Sequence, residues 1–137
     1  MFFNKKRNED DANLVKIGAL LIHTAKIDEN YSKDEEEIIK KTLLNLGAKQ
    51  TNLDTLITRA KQCESDANQI LDFTKEVKNL NNNDKIKIVK SLWHIIYSNK
   101  KADIYETNLM RRLSGLLYID SKTMGNIKEE IKKENLS

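Results

Sequence analysis

The residues best able to do chemistry are carboxylates near two loop–helix junctions: Asp28, Asp34, Glu35 and Glu36 at the first, Asp103 and Glu106 at the second. Hard cations such as calcium or magnesium want several converging oxygens. Asp28, Glu35, Asp103 and Glu106 are the candidate ligands for such a divalent cation. The same side chains have a structural use, because a carboxylate at a helix N-terminus accepts unpaired backbone N–H groups and complements the helix dipole. Capping accounts for each of these positions, and the sequence has no EF-hand loop. Helix capping is therefore the first expectation and a divalent cation the alternative.

His23 and His94 are the two histidines. Neither has a cysteine or second histidine at ligand spacing, so each is expected to be part-buried and hydrogen-bonded. Cys63 continues an apolar helix face and reads as a small core residue. A single cysteine forms no internal disulfide, which suits a reducing cytoplasm. There is no Gly-x-Ser-x-Gly elbow, phosphate loop or dinucleotide fingerprint. No enzyme activity and no cofactor are expected.

The elements that must position these residues are helices. The chain has 137 residues, no proline and four glycines, so helix breakers are scarce. Leu14, Ile17, Leu21 and Ala25 recur at helical spacing in a first helix from about Asp10 to Lys26. Ser32 with Glu35 is a capping box for a second helix, whose buried stripe is Ile38, Ile39, Thr42, Leu43 and Leu46. Gly47 suits the left-handed C-terminal cap. Thr51 with Asp54 reads as a second capping box, before a helix buried through Leu53, Leu56, Ile57 and Ala60. A fourth helix is expected over roughly Asp66 to Asn79, with Ile70, Leu71, Thr74 and Val77 inward. Asp84 is expected to cap the fifth, whose wide apolar face (Ile88, Val89, Leu92, Trp93, Ile95, Ile96) marks a central helix. Asp103 with Glu106 opens the sixth, with Tyr105, Leu109, Leu113, Leu116 and Leu117 inward. Asp120 or Ser121 begins the seventh, stitched by Met124, Ile127 and Ile131.

The chain also matches itself at an offset of 71 residues. Lys16-Ile17 falls on Lys87-Ile88, Leu21 on Leu92, His23 on His94, Glu35 on Glu106 and Leu46 on Leu117. Ile38-Ile39-Lys40-Lys41 meets Leu109-Met110-Arg111-Arg112, and the caps Ser32 and Asp103 coincide. Caps, breaks and stripes agree in order, which predicts two related hairpins, helices one–two and five–six, joined by helices three and four. Neither hairpin can bury its own apolar face, so they must pack together. The expected fold is an all-α single-domain bundle of about seven helices with two internally related helical hairpins.

Charge adds 24 basic to 21 acidic residues, net +3. Lys40-Lys41, Lys100-Lys101, Arg111-Arg112 and Lys132-Lys133 are interspersed with acids, so no nucleic-acid partner is expected. Met1-Phe2-Phe3-Asn4-Lys5-Lys6-Arg7 is not a signal peptide, because its apolar part is short and precedes the basic residues. It reads as a loose terminus, a peripheral membrane contact being the alternative. No apolar run reaches the roughly 18 residues of a membrane span.

Ala25-Lys26-Ile27-Asp28 followed by Ser32-Lys33-Asp34-Glu35, repeated as Leu92-Trp93-His94-Ile95-Ile96-Tyr97 with Asp103-Ile104-Tyr105-Glu106, resembles the tellurite-resistance TerB-like family. It also resembles the TerB-like domain of DjlA co-chaperones, without their J-domain. The resemblance runs from about Leu14 to Ile131. The family loop carries Asp-Gly in both copies. Here it reads Asp28-Glu29 and Asn99-Lys100. The resemblance implies a TerB-like helical domain over 10–135 behind a flexible segment 1–9. It also implies a cytoplasmic, non-enzymatic interaction module in metal or envelope stress. The alternative is a divalent-cation-binding or sensing domain using the acidic loops. The expected partner is another protein, met through the hairpin tips and through whichever of Trp93, Tyr97 and Tyr105 are exposed.

Overall fold

The computed structural model describes residues 2–28, 32–67, 70–98 and 104–136. They form seven α-helices: α1 (Phe2–Ala25), α2 (Lys33–Asn45), α3 (Leu53–Asp66), α4 (Leu71–Val77), α5 (Asn82–Tyr97), α6 (Ile104–Leu116) and α7 (Ser121–Leu136). Short 3-10 turns cover Lys26–Asp28 and Gln50–Asn52. No strand occurs among the described residues, and none of their helices is long and apolar enough to cross a membrane.

α1 and α5 form the centre. Leu20, Leu21 and Ile22 are consecutive and fully buried, so α1 is covered on more than one side. α3 and α4 pack along it, α2 and α5 close its remaining flank, and α7 lies along α5. At Gly18, α1 and α3 approach closely. A Cβ built there would sit 2.9 Å from the Ala60 Cβ, inside van der Waals contact, so the helix spacing needs a glycine.

The caps show why the helices end where they do. Ser32 Oγ accepts the Glu35 N–H at 3.1 Å, and Glu35 Oε1 accepts the Ser32 N–H at 2.9 Å, completing the box at α2. α2 closes with Gly47 at φ +111°. There the Ala48 N–H reaches the Leu43 carbonyl and the Gly47 N–H reaches the Leu44 carbonyl, the Schellman pattern. α7 is capped by Asp120, whose Oδ1 accepts the Thr123 N–H at 2.6 Å.

Four expectations are corrected. α1 begins at Phe2, not near Asp10, because no proline or glycine interrupts the helix upstream of the apolar stripe. Thr51 caps nothing: residues 50–52 already wind as a 3-10 turn, and α3 starts without a side-chain cap. At α5 the cap is Asn81, whose Oδ1 accepts the Asp84 N–H at 2.9 Å, with Asp84 inside the first turn. α4 is short and turned: Phe73 takes the buried position with Ile70, Thr74 and Val77, while Leu71 faces out. The larger ring gains more from burial than the leucine.

Two measurements probe this framework. Gly18→Ala is expected to cost about 1–3 kcal/mol in denaturant melts through overpacking. That cost should shrink in an Ala60→Gly background, where the opposing methyl is gone; equal costs in both backgrounds would refute the close approach. The second concerns Asp120. The Thr123 N–H, chiefly, holds its carboxyl below the ordinary value of 3.8. A folded pKa lowered in this way gives stability that is present above the ordinary value and lost as pH falls through the folded one. Asp120→Asn keeps a capping oxygen without the titration, so its melting temperature should fall less than that of the parent between neutral and strongly acidic buffer.

Candidate docking groove

Of the four candidate metal ligands, Glu35 is the one whose side chain lies among the described residues. Glu35 is 2% exposed and holds its half of the α2 capping box. Asp103 and the side chains of Asp28 and Glu106 lie outside the described residues. No group of three or more His, Cys, Asp or Glu placed to hold a metal occurs among those described.

Of the three aromatic candidates, Trp93 is 2% and Tyr97 5% exposed, and their rings stack with centroids 5.8 Å apart. They are core residues of α5 and not surface anchors, because that helix is buried around most of its circumference. The Trp93 Nε1 is buried without a hydrogen-bond partner. The Tyr105 side chain lies outside the described residues.

The histidines are part-exposed and do not meet each other. His23 Nδ1 lies 3.5 Å from Glu64 Oε1 on α3, where Lys26 also reaches Glu64 at 2.8 Å. His94 Nε2 lies 3.5 Å from Glu134 Oε2 on α7. Equivalent histidines thus meet a carboxylate on the third helix of their own half. α3 is therefore the counterpart of α7, and the repeat is longer than the hairpin pair expected from sequence. Cys63 is half-buried against the core.

A sizeable concavity lies elsewhere, between α4, the C-terminal end of α6 and Lys16 of α1. It has a volume of about 600 Å3 and is lined by Lys16, Leu71, Asp72, Thr74, Lys75, Lys78, Gly115, Leu116 and Tyr118. Leu71 (44% exposed) and Tyr118 (74%) are the two exposed large hydrophobic residues among those described, and both line this one groove. None of Lys16, Lys75 and Lys78 is ion-paired among the described residues, whereas Lys26, Lys40, Lys61, Lys87 and Lys90 are.

Tyr118 is held in an unfavourable backbone. Its φ is +57°, the one positive φ among described non-glycine residues. It closes α6 as Gly47 closes α2: the Ile119 N–H reaches the Ser114 carbonyl and the Tyr118 N–H the Gly115 carbonyl. An L-residue pays about 1–2 kcal/mol to sit there, and glycine avoids it. Beneath the ring, the buried Lys85 donates to the Leu117 carbonyl at 3.0 Å, at the negative end of α6. The amines of Lys85 and Lys78 lie 5.9 and 5.7 Å from the ring centroid, within cation–π range.

Two related helical triplets, a long central helix in each and a short connecting helix now stand as one architecture. The family model described as tellurite resistance protein TerB matches residues 14–129. The chain belongs to the TerB family. No curated protein and no solved structure matches it. The TerB match spans both halves of the repeat and every residue lining the groove.

Neither Tyr118 nor Leu71 stood out in the sequence as a site. A signal existed for the first: at the offset of 71, Tyr118 falls on Gly47, a tyrosine where the other copy uses glycine to turn. From sequence, Leu71 reads as a core residue of α4. Tyr118→Gly is expected to be more stable than Tyr118→Ala by about 1–2 kcal/mol. Both variants lose the ring, so their difference isolates the backbone cost. Equal denaturant midpoints would show that the turn carries no strain.

Proposed function

We propose that this TerB-family chain is a non-enzymatic helical interaction module, cytoplasmic and working in metal or envelope stress, that docks another protein in the groove between α4 and α6. The observation that carries this reading is the coincidence of Leu71 and Tyr118 in one groove of about 600 Å3. Scattered single apolar residues are ordinary on a surface, but grouped ones in a concave site mark interaction. The lining combines amines, one carboxylate and apolar groups, a set suited to holding a complementary surface. Family membership supports the link to stress.

Photo-cross-linking in the cells that naturally express the chain tests it. A photoreactive residue at Leu71 should give a discrete protein adduct, and one at Lys132, exposed on α7, should not. The same adducts from both positions, or none from Leu71, would sink the reading. The competing cation reading has its own readout. A melting-temperature rise with calcium, magnesium, manganese, zinc or nickel after chelation, abolished by Asp28→Ala, would put a cation site ahead of docking, because a ligand that binds only the folded state raises its stability.

A further inference from the structure

We infer that the partner segment is acidic with an apolar anchor residue, and that Tyr118 is the residue built to grip it. The inference rests on the docking reading above and specifies its chemistry.

Charge complementarity identifies the partner. Lys16, Lys75 and Lys78 line the groove against a single carboxylate, Asp72. Those three lysines have no ion-pair partner among the described residues. Leu71 and Tyr118 supply exposed apolar surface in the same lining. A segment that places Asp or Glu side chains against the lysines and one large apolar side chain against Leu71 and Tyr118 satisfies both. An acidic partner also gains on-rate from such a field.

The backbone identifies the anchor. The structurally equivalent corner uses Gly47 and has Leu14 at the repeat position of Lys85. In the second copy both differ: the turn carries a tyrosine, and a buried lysine lies within cation–π range of its ring. An exposed side chain gives folding little in return for a strained φ, and strain kept at a surface position points to use there. Tyrosine is also among the residues that most often dominate binding energy. Tyr118 therefore stands exposed on a strained corner of the groove, with the amines of Lys78 and Lys85 within cation–π range of its ring.

The test is selection of phage-displayed random peptides on the full chain, with Tyr118→Gly as the comparison. Tyr118→Gly keeps the turn and should fold at least as well as the parent, so lost binding in it reflects the missing ring. The expected peptides carry Asp or Glu flanking a Leu, Ile or Phe. Their affinity should fall about thirtyfold in Tyr118→Gly, fall again in Lys16→Glu/Lys75→Glu, and weaken with added salt. Peptides without acidic residues, or acidic ones indifferent to Tyr118→Gly, would overturn the inference and leave the docking reading standing. If no peptide is enriched, both fall. Tyr118-dependent binding to anionic phosphatidylglycerol vesicles or single-stranded RNA, with no peptide enriched, would overturn both in favour of a polyanion surface.

Discussion

Two helices whose described side chains are mostly buried organise this protein. Leu20, Leu21 and Ile22 of α1 are fully buried in succession, and so are Leu92, Ile95 and Ile96 of α5 within one turn and a half. One neighbouring helix covers only one stripe of another. Each central helix therefore needs several partners, and α1 takes α2, α3, α4 and α5. The Gly18–Ala60 approach follows, because bringing a third helix onto an already crowded α1 leaves no space for a methyl. So do the tight caps, which stop α2 and α6 short enough to let the chain return.

The repeat is a solution to that burial problem used twice. In each half a histidine on the central helix faces a glutamate on the third helix, His23 with Glu64 and His94 with Glu134. These part-exposed pairs contribute little free energy on their own. Their value is as markers of equivalent packing. They identify α3 and α7 as counterparts even though their sequences do not align well, and leave α4 as the connector between two triplets.

Much of this architecture was legible before any coordinates. The stripes of α5 and α7, the Ser32–Glu35 box and the turn at Gly47 are local patterns, and local patterns survive into the fold. The family was legible from both copies of the loop–helix signature. What failed depended on rotation or on competing local geometry. Leu71 and Phe73 both fit a helical face in α4, and only three-dimensional packing decides which ring or branch is covered. Thr51 and Asp54 have the spacing of a box, but a 3-10 turn had already claimed that backbone. Trp93 and Tyr97 have the composition of surface anchors, and their helix happens to be central. The groove was least legible, because Lys16, Leu71, Lys75 and Tyr118 come from three distant segments.

A duplicated fold begins with two of every surface feature, and a partner recognising one would find both. The corners at Gly47 and Tyr118 share the same hydrogen-bond pattern but not the same side chains. A bare glycine at one corner and an exposed ring at the other make the two corners chemically distinct. The first copy keeps the turn at its least strained, while the second is free to carry a residue chosen for what it touches. Pseudo-symmetry in the backbone thus coexists with a defined polarity of the surface.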